Sequence, residues 1–199
     1  MSCCNFEVAK FLRDPYSTVK ILLPTAAIQT VMHCKVWSDK STRHLAIALL
    51  ATTVGRFALN VHLGWIETPI LNRLPCLTDD QKIMLNDYRM SLISKMDLLS
   101  GLAVMDIFYI YSQRPMVNVP PCVTTVMVAP VAISVLQGIC LMPQSHRQVA
   151  RVHEGKSTSA DLLNDASFVQ RRKIFVGLDF VKVSCLAIAG LRFGCQLSK

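Results

Sequence analysis

The stretch Cys122–Met142 reads CVTTVMVAPVAISVLQGICLM and contains no Asp, Glu, Lys or Arg. A helix that crosses a bilayer needs about 20 mostly apolar residues, and this run meets that length without a charge. Pro130 lies inside it and is expected to kink the helix, which a membrane helix tolerates where neighbours satisfy the freed carbonyl.

Working outward, three more segments read as spans. His44–Trp65 begins with HLAIALLATTVG and ends on an aromatic suited to the bilayer interface, with Pro69 expected to close the helix. Met96–Ser112 is near the lower length limit and ends in Phe108, Tyr109 and Tyr111. Ile174–Phe193 completes the set. The fold class expected is therefore all-α: an integral membrane four-helix bundle over residues 44–195, preceded by an N-terminal segment, 1–43. Within that segment Ile21–Trp37 is apolar but interrupted by Pro24, Gln29, His33 and Lys35. It reads as an interfacial or re-entrant helix.

The connecting segments are polar. Thr78 followed by Asp79 and Asp80 reads as a helix N-cap with acids in the first turn. Residues 66–95 are expected to join the first two spans outside the hydrocarbon, and residues 143–173 form a basic loop with Arg147, Arg151, Lys156, Arg171, Arg172 and Lys173. Near the membrane these two segments carry most of the Lys and Arg, which places them in the cytoplasm by the positive-inside rule. Acylation of Cys3 and Cys4 would instead require a cytoplasmic N-terminus, so the two cues point to opposite orientations.

The chain of 199 residues has a formal net charge of +8, with 52% hydrophobic and 17% charged residues. Its basic groups lie between the apolar runs, where they meet anionic headgroups. No phosphate-reading motif accompanies them, so nucleic acid is not the expected partner and the lipid bilayer is. The eight cysteines include no Cys-x-x-Cys pair, and the five histidines show no metal-binding spacing. Neither a metal nor a cofactor is expected.

Ionisable residues inside spans carry the functional signal, because each costs about 2.5–3.5 kcal/mol at a helix centre and so faces the bundle interior and pairs. Arg56, Asn60 and Glu67 recur at helical spacing and read as one polar stripe, with His62 pointing elsewhere. Asp106 and Tyr109 share a face of the second span, with Asp97 opposite and expected at the interface. The third span offers Ser134 and Gln137, and the fourth Asp179 and Lys182 at i and i+3. His146 and Arg147 read as solvated interfacial anchors.

Two motifs add a family resemblance. ALNVHLGWIETPIL at Ala58–Leu71 and LMPQSHRQV at Leu141–Val149 resemble those of the small four-span membrane proteins grouped with the anthrone oxygenases. The matching positions are Asn60, Glu67, Pro69, Met142, Pro143 and Arg147, within a likeness covering about residues 50–193. The chain departs from the pattern at Gln144-Ser145, and again where Phe168, Arg171 and Arg172 precede the last span. The resemblance implies a four-span fold. If activity comes with it, it implies a cofactor-free reaction on an activated phenol, with Arg56 holding the substrate anion and Asp106 or Glu67 as base.

Three readings follow from the polar residues. Arg56, Asn60, Glu67, Asp106, Tyr109, Gln137, Asp179 and Lys182 line a cavity for a small hydrophobic ligand. Alternatively they glue the helices of a non-catalytic scaffold or partner subunit, with Arg56 paired to Asp106. In the third reading they form an ion or proton path. Oligomeric state is not legible.

Overall fold

The computed structural model describes Asp14 and residues 17–198. Cys3 and Cys4, with most of the first 16 residues, lie outside the described residues. Every regular element described is helical. In chain order they are α1, Ser17–Met32, extended by a wide π-helical turn at His33–Trp37; α2, Thr42–Arg73; α3, Asp79–Ser112; α4, Pro121–His153; α5, Ser159–Asn164; and α6, Ala166–Leu197.

Three of these helices, α2, α4 and α6, are long and apolar enough to cross a membrane. The 34 residues of α3 are more polar in their first half. At about 1.5 Å per residue these four helices are roughly 50 Å long, so each outreaches a hydrocarbon core of about 30 Å.

Local chemistry explains where the helices start. Thr78 caps α3 as expected: its hydroxyl accepts from the Gln81 N–H, and the Gln81 side chain reaches back to the Thr78 N–H. Ser41 caps α2 through the His44 N–H, and Thr158 with Asp161 repeats the capping box on α5. Gly155, at φ 69°, ends α4 in the left-handed region, and the Lys156 N–H bonds the Arg151 carbonyl at 2.9 Å.

Two expectations are corrected by prolines that continue a helix. Pro69 does not close α2, and the segment after Met142 is not a loop. In both places the helix widens into a π-helical stretch, Val61–Glu67 before Pro69 and Leu136–Leu141 before Pro143, and runs on to Arg73 and His153. Proline has no N–H to give the carbonyl four residues back, and i→i+5 turns take up the mismatch. Before Pro69, the Thr68 hydroxyl also donates to the Leu63 carbonyl at 3.0 Å. The basic segment 143–173 is thus mostly helix, made of the end of α4, α5 and the start of α6.

α2 packs on α3 and α6, and α4 packs on α3 and α6. Short connections make successive long helices antiparallel. One end holds an apolar core of Leu45, Leu49, Val104, Ile107, Met127 and Phe193, with Tyr111 edge-on to Phe193 at 5.8 Å. The opposite end holds a smaller one of Val149, Leu162 and Phe168. α1 lies along α3 and the π-helical part of α4. The outer surface is apolar between the ends: Leu191 is 71% exposed, Phe180 60% and Val54 48%, while the ionisable Arg56, Asp97 and Lys182 are 1–2% exposed.

Candidate functional site

Between the two apolar cores the four long helices meet in a layer of charge. Arg56 of α2 donates from Nε and Nη2 to Asp97 Oδ1 of α3, at 3.0 and 2.9 Å. Asn60, one turn on, donates from Nδ2 to the same oxygen at 3.2 Å and to the Arg56 carbonyl at 2.9 Å. The other carboxylate oxygen of Asp97 faces Lys182 Nζ of α6 at 3.1 Å and takes the Ser134 hydroxyl of α4. Lys182 also holds Asp179 Oδ1 at 2.7 Å and Gln137 Oε1 at 2.9 Å, and Gln137 Nε2 donates to the Phe175 carbonyl at 3.1 Å.

Two cations and two carboxylates therefore balance within one buried layer, with a contribution from each long helix. Such compensation is what a buried charge requires. Gly101 makes room for it: a Cβ there would stand 3.2 Å from Arg56 Nη2. Arg56 Nη1 and Asn60 Oδ1 have no partner among the described residues.

Five of the eight candidates, Arg56, Asn60, Gln137, Asp179 and Lys182, meet in this layer, and three lie elsewhere. Arg56 does not pair with Asp106. Asp97, expected at an interface, is its partner and is 1% exposed. Asp106 instead accepts from His33 Nδ1 of the π-helical turn after α1 at 2.6 Å. Tyr109 lies beside His33, ring centroids 6.3 Å apart, and is 58% exposed.

Glu67 leaves the Arg56 stripe because the π-helical turn resets the helical phase. It bridges Arg89 at 2.6 Å and His62 at 2.9 Å. His62, expected to point away, is five residues before Glu67, the offset that a π-helical turn brings together. His146, expected as a solvated anchor, faces inward onto Asp87 of α3 with Nδ1 to Oδ2 at 2.6 Å.

Beside the charge layer a cleft of about 190 Å³ opens toward the end where α2 and α4 terminate. Its walls are mainly apolar, including Trp65, Met90, Met142, Phe168 and Phe175. Trp65 is stacked on Phe180 at 5.8 Å. Three ionisable side chains line it: Asp87, Asp179 and Arg172. Asp179 belongs to both the cleft and the charge layer. Gly64 lets it approach α2, since a Cβ there would stand 3.2 Å from Asp179 Oδ2.

Neither composition nor motif spacing places Asp87, His146 or Arg172 at a site. One available signal is the run Asp87, Ser91, Ser94, Leu98 and Gly101, which repeats at helical spacing and marks the buried face of α3 well before the apolar stretch begins.

Compared with family models, with curated proteins and with solved structures, the chain matches none.

Proposed function

We propose that this chain is a multi-pass integral membrane protein, a four-helix transmembrane bundle whose buried charge layer clamps the helices around a cleft for a small, largely apolar molecule. The observation that carries this reading is Asp179. One side chain both closes the charge layer through Lys182 and lines the cleft. The apolar outer surface with charges inside supports the membrane setting, since in lipid polar groups must be satisfied internally. An engineered cavity of about 150 Å³ takes a benzene-sized ligand, so the cleft suits a compact apolar body.

In this reading the charge layer is a clamp, not reaction machinery. Arg56 is 2% exposed, is engaged by Asp97 and does not line the cleft. The likeness to the anthrone oxygenase group keeps one support: Gly64, Trp65 and Thr68 from one motif, and Met142, Ser145 and Val149 from the other, line the same cleft. Turnover there would need groups other than Arg56 and Asp106, neither of which lines it.

The test is a titration with 1-octanol in zwitterionic nanodiscs, read from Trp65 fluorescence in a Trp37→Phe background. Saturable binding is expected, and Ser145→Phe should abolish it with the melting temperature unchanged. Linear, unsaturable partitioning that is equal in both proteins would sink the cleft reading.

A further inference from the structure

The ionisable groups on the cleft wall differ in whether they already have partners. Asp87 is held by His146 at 2.6 Å and Asp179 by Lys182 at 2.7 Å. Arg172 has no hydrogen bond or ion pair among the described residues. Its neighbour on the same helix, Arg171, differs: Nη2 donates to Gln148 Oε1 at 2.5 Å and to Ser167 Oγ at 2.9 Å. The Ser145 hydroxyl, also on the wall, is likewise without a partner among the described residues. The cleft thus offers an apolar interior with two carboxylates already partnered. Its lining adds one guanidinium and one hydroxyl with donors to spare.

We infer that the occupant is an amphiphilic anion, with a compact apolar body in the cleft and a single carboxylate or phosphate-type head on Arg172. This rests on the cleft reading above and adds the sign of the head. The guanidinium presents a planar fork of N–H donors that matches such a head in a two-point contact. An ammonium head would meet Arg172 as a like charge, and its only attraction would come from two acids that already have partners. A neutral hydroxyl head can accept from the guanidinium but leaves its charge uncompensated. The helix-borne position of Arg172, six residues into α6, fixes it over the apolar walls formed by Phe168, Phe175 and Val176 of the same helix.

Three probes with one chain length isolate the head: octanoate, 1-octanol and octylamine, each titrated into Trp37→Phe protein in zwitterionic nanodiscs at neutral pH. Octanoate is expected to bind about tenfold tighter than octanol, and octylamine no tighter than octanol. Arg172→Gln should remove the octanoate advantage while leaving octanol affinity and the melting temperature unchanged. Equal affinities for octanoate and octanol would overturn the anionic head but leave the cleft reading standing, and so would preference for octylamine. Saturable binding of none of the three would overturn both. Nanodiscs containing phosphatidylglycerol separate the two sources of the head. Loss of octanoate binding there assigns the site to an anionic lipid, and retention assigns it to a free amphiphile. In both cases the anionic head on Arg172 is supported.

Discussion

Asp97 and Asp106 lie on one helix, and each pairs with a side-chain nitrogen from another element at less than 3.1 Å, yet their surroundings differ in kind. Nine residues at about 100° each put them on opposite faces of α3. Asp97 faces α2, α4 and α6. Its two oxygens are engaged by Arg56, Asn60, Ser134 and Lys182. Asp106 faces α1 and, among the described residues, has one partner, His33, whose side chain is 37% exposed. Its second oxygen, Oδ2, has none among the described residues. Distance alone would rank the His33 contact as the tighter of the two. Burial and the number of partners reverse that order, because removing one member of a fully buried set strands the remaining charges, whereas an edge pair is solvated or rearranges.

The largest expected effect separates these two acids directly. Asp97→Ala leaves Arg56 and Lys182 with only Asp179 between them. It should cost about 3–5 kcal/mol, read as loss of folded protein or a large drop in melting temperature in detergent. Asp106→Ala should cost about 1 kcal/mol or less. Equal losses would mean that the inner layer is not the clamp.

Next comes coupling. A double-mutant cycle of Arg56→Ala with Asp97→Ala should give an interaction energy of about 1–3 kcal/mol, and one of His33→Ala with Asp106→Ala a few tenths. Additive losses at the inner pair would break the comparison.

Smaller still is the effect of a single methyl group. Gly101→Ala pushes on Arg56 Nη2 and on Val131, whose Cγ2 would be 3.4 Å away, so the charge layer must shift and about 1 kcal/mol of stability is lost. Gly55→Ala meets nothing within 4 Å and should gain up to about 1 kcal/mol from helix propensity. Similar signs at the two positions would show that the packing around Arg56 is looser than the distances indicate.

The smallest effect lies outside the helical layers. Hydrogen bonds from Thr158 hold the Asp161 carboxyl below the ordinary aspartate range, and those from Ser167 do the same for Asp165. A depressed folded value means that these caps contribute above the unfolded aspartate pKa, and the contribution is lost as pH falls through the folded one. The amide proton chemical shifts of Thr158 and Ser167 should therefore report carboxyl titrations with midpoints below about 3.9, as followed by NMR. Midpoints at or above that value would contradict the caps.

Much of this architecture was legible in the residues. The uncharged run around Pro130 and the Thr78 cap located helices correctly, and the i, i+3 spacing of Asp179 and Lys182 gave their pairing. The choice between Asp97 and Asp106 was not legible from the apolar stretch alone. Starting the helix at Met96 makes Asp106 central, whereas its true start at Asp79 puts Asp97 near the midpoint. The π-helical turns are not legible in the periodicity either. A strict 3.6 residue period carries Glu67 onto the Arg56 face, and only the proline two residues later hints that the phase changes. The His146–Asp87 contact spans 59 residues and depends on α4 continuing past Pro143.

The distribution of charge in the middle layer has a consequence for biogenesis. α4 brings no charge to that layer, and α6 brings a cation and an anion that satisfy each other within one turn. Each can enter a bilayer as a separate neutral unit there. α2 and α3 bring the paired Arg56 and Asp97 and are joined by the short connection 74–78. In the proposed bundle Arg56 meets its counter-charge only where α2 lies against α3, so α2 alone in lipid would carry an uncompensated guanidinium.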